Sequence, residues 1–368
     1  MARMNSRDVA IIGAGPAGCT AAMILARAGW SVQIIEQHRF PRDKVCGECI
    51  SALGIDIARR IGVADSLVRL GAVQLRASKL IAPNGEAATI ELPRPMWGLS
   101  RCAMDACLLE AARESGARLL QPARCEKIVP GRSPGLIVRD LASNAIQSLA
   151  ASRLLICDGK GLTSSSAELG IKAHFVHVEG EAGAISLFGV AGHYVGVAPI
   201  EQDRWNVAMS VPAARVAQFR GDLDAMFDRL KLENVALARV FRNARRAGSW
   251  LASPLPRFAV ESQWMDGTVP LGNAAAALDP IGGEGIGLAM QSAEIAAREL
   301  IAASRENRAA DIEHLRGEFR KLWRIRSAAC RAAAVAVSNP TFARIAAPIV
   351  DQTPALQRLA LELTGKLP

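Results

Sequence analysis

The chain has one tyrosine among its 368 residues, and aromatic side chains make up only 4% of it. A base-stacking surface needs several aromatic platforms set among cations, so this scarcity argues against a nucleic-acid partner despite the net charge of +9. Long apolar runs are missing too, and no stretch reaches the ~18–20 residues that a transmembrane helix requires. The eight cysteines, at 19, 46, 49, 102, 107, 125, 157 and 330, form no disulfide framework. That scatter reads as a reduced, cytoplasmic chain. Cys46 and Cys49 make one C-x-x-C, but zinc wants a second pair or two histidines, and none of the five histidines has that spacing, so no metal is expected. Half the residues are hydrophobic and 21% are charged, which excludes a disordered chain.

What is present begins at the N-terminus. Arg3 and Arg7 precede an apolar stretch, as in a signal peptide, but Gly13, Gly15, Pro16 and Gly18 break that stretch at once. It reads instead as a strand over 8–12, a glycine turn, a helix over 16–28 and a second strand over 31–35 that ends at Glu36. Gly13-Ala14-Gly15-Pro16-Ala17-Gly18 fits G-x-G-x-x-G between strand and helix. Gly13 permits the tight turn, Gly15 lets the backbone approach a pyrophosphate, and Gly18 lets helix and strand pack closely. The helix N-terminus offers free N–H groups to the phosphates. The Glu36 carboxylate suits the two hydroxyls of an adenosine ribose.

The rest does not continue as a regular βαβ series. Residues 40–51 form a charged loop containing Lys44-Val45-Cys46-Gly47-Glu48-Cys49. A helix is expected over 101–117, with Leu108, Ala111 and Ala112 on one side. An apolar strand over 153–159 ends in Asp158-Gly159. Residues 270–287 are glycine-rich, and a long helix follows over 288–303. Five glycines within sixteen residues carry a high entropic cost unless a ligand needs the backbone close by.

These blocks, in this order, resemble the FAD-dependent monooxygenases and reductases of the p-hydroxybenzoate hydroxylase fold, above all the geranylgeranyl reductase-like branch. The resemblance covers most of residues 7–300. It implies an α/β (overall α+β) chain with a Rossmann-like, GR2-type FAD-binding domain, a β-sheet substrate domain and a helical C-terminal tail. The FAD domain is discontinuous, over 1–75, 98–165 and 265–310. The substrate domain takes 76–97 and 166–264, with strands near 184–190, 194–199 and 205–211 and a helical stretch over 213–245. The tail takes 311–368.

The resemblance also implies site residues. Gly13, Gly15, Pro16, Ala17, Gly18, Glu36 and Gln37 match the adenosine-pyrophosphate end of the FAD site. Cys46 and Gly47 belong to the branch's Cys-Gly-Glu loop, Lys44 to Glu48, and Arg42 just before it is a further expected cofactor contact. Arg101, with Asp105 and Leu108, matches the R-x-x-x-D-x-x-L helix whose arginine reaches the FAD phosphates. Asp158 and Gly159 match a further cofactor contact. Gly272, Asn273, Pro280, Gly283, Gly285, Ile286 and Gly287 match the G-D-A-A…P-x-x-G-x-G block. Cys46, Tyr194 and Glu284 are the candidate catalytic residues. Cys46 is either a flavin-side loop residue or half of a redox pair with Cys49. Glu284 is either a solvated loop acid or a proton relay.

Departures from the pattern carry information. Asn273 stands where the family has Asp. Lys160 to Ser166, after Asp158-Gly159, lacks the arginine of the monooxygenase branch, which bears on how NAD(P)H is handled. Tyr194-Val195-Gly196-Val197-Ala198-Pro199 retains the Tyr and Pro of the reductase pattern Y-x-W-x-F-P, while Gly196 and Ala198 replace its two aromatics. Residues 194, 196 and 198 share one face of a strand, so the change opens room beside the cofactor, unless Gly196 only marks a bulge.

The expected function is an FAD-dependent oxidoreductase with NAD(P)H as transient co-substrate and a hydrophobic small molecule as substrate. Ring-sized room favours an O2-using monooxygenase that hydroxylates an aromatic or polyketide-like secondary metabolite through a C4a-hydroperoxyflavin. The Cys-Gly-Glu loop and the Tyr194/Pro199 remnant favour the alternative, reduction of C=C bonds in an isoprenoid or related lipid. Halogenation ranks lower because no G-W-x-W-x-I-P run exists, and a flavin-binding protein without turnover lower still. Residues 301–368 hold nine Arg and two Lys against six acidic residues. That tail is either a docked amphipathic segment or a peripheral membrane contact.

Overall fold

The structure is a computed structural model that describes residues 6–159, 167–256 and 258–367. Its first sheet grows from the strand Ser6–Ile12, in which Val9, Ala10 and Ile11 are buried. Burial on both faces marks a central parallel strand. Val32–Ile35 and Ile146–Ile156 flank it, both parallel. Arg118–Leu120 extends one side, Thr268–Pro270 runs parallel to Ile146–Ile156, and Gly135–Asp140 with Ala123–Val129 adds an antiparallel meander. The helix Pro16–Arg27 packs against Arg101–Glu114 and the long helix Gly285–Arg305. The long helix offers Ala293, Ala296 and Ala297 at this contact, small residues that let the helices approach closely.

The second sheet has eight strands in the order Arg245–Pro254, Glu168–Val176, Arg204–Pro212, His193–Ile200, Ala184–Val190, Val73–Ile81, Ala87–Gly98 and Cys49–Ile50. All its pairs are antiparallel except Ala184–Val190 with Val73–Ile81. Under one face, Phe175, Phe227, Phe241 and Trp250 form an edge-on aromatic cluster. Much of the scarce aromatic content is thus spent on one core. The sheet also recruits Cys49–Ile50 and the whole of Val73–Ile81, whereas the sequence-based division places residues 49–50 and 73–75 with the FAD domain. Backbone pairing to Ala87–Gly98 takes both across.

The expected helical stretch over 213–245 is three short helices, Ala213–Gln218, Leu223–Glu233 and Val235–Val240. Arg220 and Gly221 interrupt it at positive φ, and Asp222 and Asn234 cap the helices that follow. In the tail, Ile312–Ser338 lies against His193–Ile200 and Ala184–Val190 and buries Leu315, Phe319, Trp323, Cys330, Ala334 and Val337. Pro340–Gln352 and Pro354–Leu363 follow, each opened by a proline in its first turn. Among the described residues no single helix is long and apolar enough to cross a membrane.

Asn234 holds the second sheet to its helices. It is fully buried, and its amide donates to the carbonyls of Ile81, Ala82 and Gly189 at 3.3, 3.2 and 3.0 Å. Its Oδ1 accepts from the Ala236 and Leu237 N–H groups, both at 3.1 Å. Asn234→Ala leaves buried donors and acceptors unpaired, so the protein should lose about 2–4 kcal/mol of stability. Urea unfolding checks this: the midpoint should fall with the slope unchanged.

Candidate functional site

A cleft of about 1690 Å³, counting its open mouth, lies where the first sheet's glycine turns meet the second sheet's inner face. Gly15, Pro16 and Ala17 line one end, at the N-terminus of the first helix. The glycine turn closes on itself. A Cβ at Gly13, where φ is +99°, would lie 2.5 Å from the Cys157 carbonyl oxygen, and one at Gly18 would lie 2.0 Å from that of Gly13. Gly15 is different, with nothing nearer to its Cβ position than an Arg101 nitrogen at 3.8 Å, so its backbone stays open to a ligand. Glu36, buried at the end of its strand, accepts from the Ala14 and His38 N–H groups at 2.8 Å each. Gln37 is exposed and does not line the cleft.

Cations gather at this end. The Arg101 guanidinium forms a buried two-point pair with Asp105, at 2.7 and 2.6 Å. Lys44 lines the wall beside it, its ammonium 2.9 Å from where a Gly159 Cβ would stand. Burial, then repulsion from Arg101 and Arg42, draws the Lys44 pKa down to about 8. Arg42 lies over the Phe40 ring, and its Nε is buried without a partner among the described residues. This donor set, at a helix N-terminus with an open glycine, fits a pyrophosphate.

Gly272, Asn273, Pro280, Gly283, Gly285 and Ile286 line the other wall. Gly283 needs its positive φ of 65°, while Gly285 has nothing within 4 Å of its Cβ position and leaves room for a flat group. Gly287 is not on the wall. A Cβ there would lie 2.3 Å from Ser51 Oγ, so it is a helix-packing glycine against Ala52–Arg60. Asp158 is half-buried just before Gly159, which lines the cleft. Lys160 to Ser166 lie outside the described residues.

Cys46 and Gly47 reach the wall through Glu48. That residue is fully buried with φ of +57°. Its Oε1 accepts from the Arg101 N–H at 2.7 Å and from Lys172 Nζ at 2.5 Å, and its Oε2 meets His174 Nε2 at 2.7 Å. Asp43, Glu48 and His174 could ligate a metal by type, but the Lys172 ammonium already bridges Asp43 and Glu48. The Cys46 and Cys49 thiols are free. Burial pushes Cys49 up to about 12, which keeps it protonated and a poor partner for redox exchange.

Tyr194, Gly196 and Ala198 line the cleft together, so their shared face points at it. Ala208 and Ser210 of the neighbouring strand, Gly170 and Ser78 line it too, leaving a floor of small side chains. Gly196 is regularly paired to both neighbouring strands. Tyr194 is buried and donates to Asp279 Oδ1 at 2.8 Å. Burial, reinforced by Asp279, raises the tyrosine well above its usual range, and burial also raises Asp279. Neighbouring His193 is buried away from the cleft, with its pKa drawn down to about 4 by burial and then by Arg215. Glu284 is buried rather than solvated and pairs with Lys366 at 3.3 Å.

Sequence reasoning missed Asp279, Lys172 and Lys366. Asp279 sits inside the quoted glycine block, immediately before Pro280, and a carboxylate at that place was a usable signal. Lys366 had none, because only the folded tail brings its ammonium to within 2.7 Å of the Gly282 carbonyl oxygen.

The model of the FAD binding domain family matches residues 6–222. Conditioned medium factor receptor 1 of Dictyostelium discoideum is 27% identical over 83% of this chain, which spans only 65% of that protein's length. Menaquinone reductase of Mycolicibacterium smegmatis is 24% identical over 99% of this chain and 93% of its own. The fold is similar to that of the flavin-dependent brominase Bmp2, with a TM-score of 0.82, 21% identity and coverage of 99% and 94% of the two chains. It is also similar to that of a geranylgeranyl bacteriochlorophyll reductase-like protein of Thermoplasma acidophilum, with a TM-score of 0.81, 17% identity and coverage of 99% and 98% of the two chains. Because the family match takes in more than half of the sequence and both glycine-turn strands, this chain belongs to the FAD binding domain family, within the FAD-dependent oxidoreductases.

Proposed function

We propose that this protein is a reductase of a hydrophobic, ring-bearing small molecule, with Tyr194 and Asp279 supplying the proton that accompanies two-electron reduction of a C=C bond. The observation that carries this reading is the buried Tyr194–Asp279 pair on the cleft wall beside the glycine loop. An alkene accepting a hydride needs a proton on its second carbon, and a buried acid–phenol pair is a source of one. With Asp279 protonated, its O–H donates to the phenol oxygen and frees the Tyr194 proton for the substrate. Asp279 then passes its proton to Tyr194.

The chain's other residues bind and orient. Gly15, Lys44, Arg42 and Arg101 would hold the FAD pyrophosphate, Glu36 the adenosine ribose, and Gly283, Gly285 and Ile286 the ring end. When bound, FAD supplies hydride chemistry, with NAD(P)H as the transient source of electrons. Gly196, Ala198 and Ala208 form a flat floor on which a substrate ring can lie, while Ile185, Leu187 and Phe258 exclude water. The full-length similarity to a menaquinone reductase agrees with this reading. Ring hydroxylation is the second reading, favoured by the same ring-sized floor, which would serve a phenol as well.

Turnover without oxygen separates the two. Product carrying two added hydrogens should form equally well under strict anaerobiosis. A product that requires O2 and carries one of its atoms would replace reduction with hydroxylation.

Tyr194→Phe should retain FAD and lower turnover roughly 10²–10⁴-fold, the span of a lost general acid. The rate of the native enzyme should fall as pH rises and Asp279 loses its proton, at a pH above the ordinary carboxylate range because burial raises that group. Asp279→Asn should abolish that inflection in a pH–rate profile.

The apoprotein's FAD affinity should weaken as pH rises through about 8, where Lys44 loses its charge. Fluorescence titration with FAD measures this, and Lys44→Met should bind more weakly with a flat profile over that range.

A further inference from the structure

We propose that the outer face of the last two helices is a docking surface for an anionic lipid bilayer. Two helices in succession turn large apolar side chains to solvent. On Pro340–Gln352, Phe342, Ile345 and Ile349 are 52%, 60% and 51% exposed, while the buried residues are Ala343 and Ala347. On Pro354–Leu363, Leu356, Leu359 and Leu363 are 39%, 48% and 40% exposed, and only Leu361 is buried. A helix that served only the interior would do the reverse and present its largest apolar residues to the core. Of fifteen large hydrophobic residues exposed among the described residues, eight lie between Ile325 and Leu363, so this is a patch rather than scatter.

The two stripes have the same design. Each places apolar residues at i, i+3 and i+7, with an arginine at i+2: Arg344 in the first and Arg358 in the second, both exposed. An arginine flanking an apolar stripe keeps its head in water or on a phosphate while its stem lies along the surface. The tail is cationic overall, with nine Arg and two Lys against six acidic residues over 301–368. On the two stripe helices themselves Arg344 and Arg358 are balanced by Asp351 and Glu362, the latter paired with Arg358, so the cationic excess comes from the adjoining Ile312–Ser338, where five Arg and Lys321 stand against Glu313 and Glu318. Apolar stripes beside that cationic helix are complementary to acyl chains beneath anionic headgroups.

Geometry selects a surface contact rather than a span. The helices have 13 and 10 residues, or about 20 and 15 Å, against a hydrocarbon core of ~30 Å. The chain also bends by 111° between Ile312–Ser338 and Pro340–Gln352. These helices therefore suit lying in the interface.

The position of the patch gives it a use. Leu361, with Val350, Ala360 and Leu367, packs on Cys49, Leu75, Met96 and Ala198, and both Cys49 and Ala198 line the cleft. The same helices thus carry the lipid-facing stripe on one side and back the cleft on the other. The docking itself does not depend on the reaction proposed above.

The test is co-sedimentation of the full chain with phosphatidylcholine vesicles, with and without phosphatidylglycerol. The protein should sediment with the phosphatidylglycerol vesicles and be released by added salt, while pure phosphatidylcholine retains much less. The triple variant Phe342→Glu, Ile349→Glu, Leu359→Glu should bind roughly tenfold or more weakly, since it removes three insertable side chains. Because those residues are exposed, it should keep its bound FAD and its elution volume. Arg344→Glu with Arg358→Glu should weaken binding to the anionic vesicles alone. Absence of sedimentation by the native protein would overturn the proposal, as would sedimentation unchanged by the triple variant. A native dimer in light scattering that the triple variant converts to monomer would also overturn it and assign the patch to a second copy of this chain. Turnover on a water-dispersed substrate is a separate measurement, so failure here leaves the reductase reading untouched.

Discussion

A carboxylate without water costs several kcal/mol unless donors surround it, and Glu48 sits at the centre of this molecule fully buried. Its donors come from separate places: the first turn of Arg101–Glu114, and Lys172 and His174 on the strand Glu168–Val176 of the second sheet. One acid therefore holds the cofactor-side helix, the Cys46–Gly47 loop and the substrate-side sheet in a single arrangement. A second acid repeats the device nearby. Glu201, at the end of His193–Ile200, accepts from the Ser100 backbone and hydroxyl at 2.8 and 2.6 Å, just before the same helix. Both carboxylates stand at a helix N-terminus, where the helix dipole favours negative charge. The site opens where these anchors bring the two sheets together.

Small residues set what that opening can hold. The glycines do different work despite looking alike in sequence. Gly13 and Gly18 let the first turn close on itself, Gly287 lets two helices touch, and Gly15 and Gly285 leave backbone bare toward the cleft. On the sheet side, Gly196, Ala198 and Ala208 contribute small side chains to the floor. The polar side chains on that side are Ser78, Tyr194 and Ser210, and the Tyr194–Asp279 pair is placed where burial raises the proton affinity of both partners. That arrangement suits an apolar substrate that needs a proton delivered away from bulk water.

The tail presents two different faces. Its inner side is built into the site: Trp323 and Lys366 line the cleft, and the Lys366 ammonium rests on the Gly282 carbonyl oxygen and Glu284. Its outer side keeps large apolar residues in solvent at helical spacing. Docking and surface contact look like alternatives in the amino-acid pattern; the inner face is docked, and the surface contact proposed above would use the outer face.

The cofactor end was legible without a structure because its constraints are local. A strand, three glycines, a helix start and Glu36 all lie within a span short enough for backbone sterics and hydrogen bonding to dictate. The shared face of Tyr194, Gly196 and Ala198 followed in the same way from strand alternation. Other features depended on contacts between distant residues. The place of Cys49–Ile50 and of residues 73–75 in the second sheet was decided by pairing with Ala87–Gly98. Lys172 meets Glu48 across 124 residues of chain, Tyr194 meets Asp279 across 85, and Lys366 meets Gly282 across 84. None of these pairings has a spacing rule, because each exists only where packed sheets and helices exclude water and leave one partner within reach. Local sterics and alternation thus let the sequence determine the nucleotide turn and the faces of its strands, whereas burial, which belongs to the whole fold, decided which charges meet and where a proton is held.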